Sequence, residues 1–263
     1  MSDDLLVSDD AGVLTLTLNR PERKNALTME IVDGIIAAVE GADAGDDTRV
    51  IVLRATGDDF CSGFDLGGST RDGERPRTGH MQRSFRHGVH HMIRALDEAQ
   101  LPVVAGVRGW AAGIGNTLAL SADVVVASST ANFWVPFVAK GFTPDSGSTY
   151  LLPRLIGLAR AKEMLLRAKP IDGEKAAAWG LVSECVADAD LDDALDAIVA
   201  ELAASATLAW GLTKTLVHRN LEVGLTAALQ NEGMYEELAI RSDDFKEGLR
   251  AFKDRRPPEY RGR

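Results

Sequence analysis

The chain has 263 residues, 45% hydrophobic and 26% charged, with 39 acidic against 29 basic side chains and a net charge of −10. That length buries a substantial core in one large domain or two smaller ones, and the negative balance, without a basic stripe interleaved with aromatics, argues against nucleic acid as a partner. Two cysteines, Cys61 and Cys185, form no disulfide framework, and neither a secretory start nor an apolar run long enough to cross a bilayer is present, so a cytoplasmic protein without a membrane partner is expected.

In chain order, residues 13–18 alternate apolar side chains with threonine as a strand does, residues 29–39 have helical spacing, and residues 50–53 return to β-branched side chains. The second strand runs into Phe60-Cys61-Ser62-Gly63-Phe64-Asp65-Leu66, a small-residue turn. Residues 67–79, with Arg71, Asp72, Glu74, Pro76 and Arg77, lack apolar periodicity and read as a loop, either a lid over a pocket at Phe64 or an inert solvated connection. Residues 81–95 read as a helix on which His87, His90 and His91 cluster. No carboxylate or cysteine joins them at a ligand spacing, so no metal is expected.

The strand at 103–107 leads into Gly109-Trp110-Ala111-Ala112-Gly113-Ile114-Gly115 and then a helical segment with Leu118 and Leu120. Glycines there let backbone approach a ligand, and the helix start offers a free peptide N–H. Together with the turn at Phe64 it makes a candidate oxyanion hole. Strand 124–127 follows, then FWVPFVAKGFTPDSGSTYLLP (133–153), whose single acidic side chain is Asp145. Placed after Pro144 and before Ser-Gly-Ser-Thr, Asp145 reads either as a helix N-cap or as an acid/base group in an apolar setting of Trp134, Phe137 and Phe142. Asp65 and Asp123 read as turn-stabilising. From residue 191 the pattern is helical almost throughout, which gives a strand-turn-helix α/β core at 1–190 and a helical region at 191–263.

These motifs, with Leu18-Asn19-Arg20-Pro21 through Ala26-Leu27, Ala176-Ala177-Ala178-Trp179-Gly180-Leu181-Val182 and Phe252-Lys253-Asp254-Arg255-Arg256-Pro257, resemble the crotonase (enoyl-CoA hydratase/isomerase) superfamily over nearly the whole chain. The resemblance implies a crotonase-like α/β spiral of ββα units, a C-terminal helical trimerisation region, and a homotrimer or dimer of trimers. The implied ligand is an acyl-CoA thioester, with coenzyme A as part of the substrate and no separate cofactor. The thioester oxygen would lie between the peptide N–H groups of Phe64 and Ile114. Lys24, Ala26, Ser62, Asp65, Leu66, Trp110, Gly113, Thr117 and Phe137 would surround the substrate, and Arg20, Arg23, Lys24, Lys253, Arg255 and Arg256 supply cations for phosphate.

The family's hydratases carry two glutamates, at positions that are Thr117 and Phe137 here. Adding water to a double bond needs one group to activate the water and another to deliver a proton, and this pair cannot do so. Shifting a double bond needs a single carboxylate and an oxyanion hole. The Thr143-Pro144-Asp145 loop resembles that of the phenylacetyl-CoA ring-epoxide and Δ3-Δ2 enoyl-CoA isomerases, where this aspartate is the acid/base group. The resemblance leaves three alternatives: a hydratase with a second carboxylate from Asp72 or Glu74, a dehalogenase-like hydrolase with Asp145 as nucleophile helped by His90, and a silent acyl-CoA binder.

Overall fold

The structure, a computed structural model, describes residues 3–65, 67 and 77–263. Leu66 and most of the 67–79 loop, including Asp72 and Glu74, therefore lie outside the described residues.

Strand β2 (Val13–Leu18) buries Leu14, Leu16 and Leu18 and leaves Val13, Thr15 and Thr17 half-buried, as its alternation requires. It pairs antiparallel with β1 (Leu5–Asp10), Leu5 opposite Leu18. Sequence periodicity missed β1 because five of its six residues are exposed and only Leu5 is buried, so this edge strand has no apolar alternation. On its other side β2 pairs in parallel with β3 (Val50–Ala55), followed by β4 (Val103–Val107), β6 (Val124–Ser128) and β9 (Glu184–Val186). Parallel strands covered on both faces read as near-continuous valine runs. Ile51, Leu53, Val103 and Ala105 face the main core, and Val50, Val52, Val104 and Val126 face the other way.

That second face is covered by α7 (Leu191–Ala203) through Leu191, Leu195 and Val199. The helical region thus opens with a helix that belongs to the sheet's own packing.

A second, smaller sheet joins β5 (Trp110–Ala112), β7 (Asn132–Trp134) and β8 (Ile171–Asp172). Bridges Cys61–Ala111 and Leu27–Phe64 extend its line. Each turn of the spiral runs from a strand of the large sheet to the smaller layer and on into a helix: β4 to β5 to α4 (Ile114–Leu120), then β6 to β7 to α5 (Ser148–Arg167). Helix α1 (Met29–Asp43), capped by Thr28, buries Ile31, Val32, Ile35, Ile36 and Val39 beneath it. The helix expected over 81–95 is two, α2 (His80–His87) and α3 (Val89–Glu98), because the chain turns at Gly88 with φ −107° and ψ −105°, outside helical geometry. Helix α6 (Gly173–Trp179) precedes β9, and α8 (Thr207–Asn220), α9 (Leu225–Ala239) and α10 (Asp243–Asp254) complete the chain.

Candidate active site

The site forms where the smaller layer meets α4. Cys61 N–H donates to the Trp110 carbonyl at 2.8 Å and Ala112 N–H to that of Cys61 at 2.9 Å, so the Cys61 turn lies against β5. Leu27 N–H donates to the Gly63 carbonyl at 2.8 Å and Asp65 N–H to that of Leu27 at 2.9 Å. Because peptide groups alternate along an extended strand, the Phe64 N–H then faces away from Leu27. Gly113, at φ 57°, gives its N–H to the Trp134 carbonyl at 2.8 Å, and α4 begins at the next residue. The Ile114 N–H is one of the donors that a helix start leaves free. Among the described residues neither Phe64 nor Ile114 N–H has a protein acceptor, and both residues line one cavity of about 510 Å³.

Helix α4 comes this close to Cys61 because Gly115 has no side chain. A Cβ there would stand 2.3 Å from the Cys61 carbonyl oxygen and 2.7 Å from its Sγ. Gly115→Ala is therefore expected to separate the two donor segments, costing about 1–3 kcal/mol of stability from overpacking and weakening acyl-CoA binding, measured by urea unfolding and by titration with a saturated acyl-CoA.

Asp145 lines the same cavity, half-buried. It accepts a hydrogen bond from Ser146 Oγ at 2.5 Å. Ser146 and Gly147 follow with φ of 57° and 91°, two successive left-handed residues, and Ser146 is 3% exposed. A left-handed serine costs about 1–2 kcal/mol, strain of a kind that collects at functional sites. The N-cap position of α5 is Gly147, without a side-chain bond, and the Asp145 carboxylate bonds none of the helix's amides. The helix-cap reading is thereby corrected: the double left-handed turn carries the side chain away from the helix start, which only the Asp145 carbonyl meets, accepting from Ser148 N–H at 3.4 Å and Ser148 Oγ at 3.3 Å.

The remaining expected residues divide between wall and support. Phe137 and Gly113 line the cavity, with Phe137 edge-on to Phe142 at 5.3 Å between ring centres. Ser62 lines its rim. Ser62 N–H donates to the Lys24 carbonyl at 2.9 Å, while the exposed Lys24 ammonium pairs with Asp59 at 3.1 Å. Ala26 receives Arg20 Nη1 on its carbonyl at 2.8 Å.

Arg20 also holds Asp65 Oδ2 at 3.1 Å, and Gly67 N–H donates to the other Asp65 oxygen at 2.9 Å. That N–H bond first, then the guanidinium, keeps the Asp65 carboxyl below its usual range. It braces the Phe64 strand and is a poor proton acceptor.

Thr117 is fully buried outside the cavity wall, its Oγ1 without a partner among the described residues, because α4 turns that face toward Gly147. Trp110 packs on Trp134 at 5.7 Å outside the wall as well, and Trp134 Nε1 donates to the Ala168 carbonyl. The phosphate-cation expectation narrows too: Arg20 is spent on Asp4, Asp65 and Ala26, and Arg256 pairs with Glu247 at 2.6 Å. His91 pairs with Glu40 at 2.7 Å, and His90 lies against Phe85, lining a separate hollow of about 340 Å³ that shares Ser146.

Sequence reading missed Met81, Phe85 and Val89, which line the same cavity as Phe137. Their spacing of four was the available signal, obscured by the polar residues and His87 between them. It also missed Lys140. Hollows of about 690 Å³ beside α5 and α8 and about 1280 Å³ around α10 exceed the site in size, but neither is lined by Phe64 or Ile114.

Comparison with known proteins places this geometry in context. The family model described as enoyl-CoA hydratase/isomerase matches residues 8–263. A Rhodobacter capsulatus protein described as a probable enoyl-CoA hydratase is 38% identical, over 96% of this chain and 95% of its own. The 1,2-epoxyphenylacetyl-CoA isomerase of Escherichia coli is 35% identical over 100% of both chains. The crystal structure of an enoyl-CoA hydratase from Mycobacterium smegmatis superposes with a TM-score of 0.90 at 30% identity, covering 98% of this chain and 99% of that one.

Proposed function

This chain belongs to the enoyl-CoA hydratase/isomerase family, and from that premise and its crotonase-type α/β spiral we propose that it is an acyl-CoA isomerase in which Asp145 moves the proton. The Phe64 and Ile114 N–H groups hold the thioester oxygen. The Asp145 carboxylate takes a proton from the α-carbon, and the electron pair passes into the carbonyl to give a dienolate whose negative oxygen the two donors stabilise. The Asp145 carboxylic acid then returns the proton at the γ-carbon, which leaves the double bond conjugated with the thioester. With a ring-epoxide attached at the α-carbon, the same abstraction forms an α-carbon–ring double bond as the epoxide C–O bond breaks, and the Asp145 acid returns its proton to the released oxygen, so the ring-epoxide opens without a co-reactant. The step is redox-neutral and uses no cofactor beyond the substrate's own coenzyme A.

The observation that carries this reading is that Asp145 is the one carboxylate lining the cavity among the described residues. Hydration calls for a second proton-handling group, and Thr117 and Phe137 offer none. The test is incubation of a 3-enoyl-CoA and, separately, a 2-enoyl-CoA with the protein in deuterated water. Conjugated isomer from the first, carrying deuterium only to the extent that the Asp145 acid exchanges with solvent before returning its proton, and little 3-hydroxyacyl-CoA from the second is the expected result. Predominant 3-hydroxyacyl-CoA would make the protein a hydratase.

A homotrimer or dimer of trimers is part of the same proposal. What supports assembly is α9, which buries no residue in its own chain while Leu225, Leu229, Met234 and Leu238 stand 75%, 57%, 70% and 56% exposed. Sedimentation at low and high protein concentration tests it.

A further inference from the structure

The cavity wall carries one cation that the proposed chemistry does not use. Lys140 ends the short turn Val138–Lys140 between Phe137 and Phe142. Its N–H and that of Phe142 both donate to the Phe137 carbonyl, at 2.9 and 3.2 Å, so the turn is fixed from within. One loop therefore presents the two aromatic rings, the cation and Asp145 to a single ligand. Lys140 is exposed and shares the cavity lining with Met81, Phe85, Val89, Phe137 and Phe142. Among the described residues no carboxylate lies within 4.0 Å of its ammonium and no acceptor bonds it.

Resting on the isomerase reading of this cavity, we infer that Lys140 selects acyl-CoA thioesters whose acyl chain ends in a carboxylate. An apolar wall suffices for a hydrocarbon tail and gains nothing from an ammonium at its rim. A tail ending in a carboxylate enters a cavity that already holds Asp145, so it meets like-charge repulsion that a facing ammonium offsets. The same charge could meet a phosphate of coenzyme A instead. Two features favour the acyl end: Lys140 sits in the loop that forms the aromatic wall, whereas Lys24 stands on the Ser62 side of the thioester hole.

The test uses binding, not turnover. Dissociation constants are measured by calorimetry for adipoyl-CoA against hexanoyl-CoA and for suberoyl-CoA against octanoyl-CoA, with wild type, Lys140→Met and Lys140→Arg. The expected result is that wild type prefers the dicarboxylic member of at least one pair and that Lys140→Met erodes the preference by about tenfold or more, as loss of a charge-assisted bond does. Lys140→Arg should keep it, and added salt should weaken it. Equal weakening of both members of each pair would assign Lys140 to a coenzyme A phosphate and overturn the inference; no change in either would make it a bystander and do the same. Saturated thioesters have no double bond to shift and bind without net turnover, so a Lys140-dependent preference in a protein that isomerises nothing would sink the reaction alone. Isomerisation without that preference would sink the selectivity alone.

Discussion

Asp145→Asn is expected to lower the rate of 3-enoyl-CoA isomerisation by roughly a thousandfold, within the range general acid–base groups contribute, while leaving acyl-CoA affinity within about twofold because the thioester is held by backbone. The substitution isolates the proton. Asparagine keeps the size of the side chain and an oxygen for the Ser146 hydroxyl, which donates to Asp145 at 2.5 Å. The cap of α5 is Gly147, which the change does not touch, so unfolding should shift by no more than about 0.5 kcal/mol. An amide cannot accept and return a proton at neutral pH. Exchange of the α-proton with deuterated solvent, followed on a saturated acyl-CoA, should fall with turnover, since both need the same abstraction. Preserved exchange with lost isomerisation would mean that another base forms the enolate and that Asp145 acts only at the γ-carbon. Turnover equal to wild type would move the base elsewhere, and Asp72 and Glu74 would be the next carboxylates to replace.

The sequence showed the spiral wherever burial is periodic. β2, β3, β4 and β6 were legible from alternation or β-branched runs, and α1 from its 3.6-residue spacing, because each has a face whose burial fixes residue type. β1 was not, since pairing with β2 asks only for backbone groups and one buried leucine. At the site, the glycine-rich turn and the solitary Asp145 were visible because a close backbone approach and an isolated carboxylate both leave marks in sequence. Which of the expected residues face the cavity was not visible. Thr117 and Ile114 stand three residues apart on one short helix, yet only Ile114 opens on the cavity, and that is decided by where α5 and Gly147 lie against α4. Asp123 was read as a turn residue on local grounds. Its carboxylate instead meets Lys214, 91 positions away, and a contact made by two distant elements writes no local pattern.

That contact carries the second large expected effect: Lys214→Met should destabilise the fold by about 3–5 kcal/mol at neutral pH, the cost of stranding one member of a buried pair. Lys214 is 6% exposed, and its ammonium donates to Asp123 Oδ2 at 2.9 Å, to the Leu96 carbonyl at 3.0 Å and to that of Leu101 at 3.5 Å. Asp123 also receives the Val103 N–H at 2.8 Å. Burial pushes the Asp123 carboxyl up, and the charge and hydrogen bond of Lys214 are the largest influences holding it down. Removing the ammonium lets that carboxyl rise further. A carboxyl raised on folding contributes stability while protonated and loses that contribution as pH climbs through its folded value. The variant should therefore be weakest against wild type near neutrality and recover on acidification, as Asp123 takes a proton and the stranded charge disappears. Wild type shifts in the same direction but by less, because Lys214 holds its Asp123 carboxyl closer to the ordinary value. Urea unfolding of both proteins at about pH 7.5 and about pH 5 should show the gap narrowing. A constant gap would mean that packing around the lysine stem, not the charge, accounts for the loss, and Asp123→Asn combined with Lys214→Met should then recover nothing. The pair ties α8 to the end of α3, which bears Val89 of the acyl wall, so loosening it should also weaken acyl-CoA binding without altering the isomerisation step at Asp145.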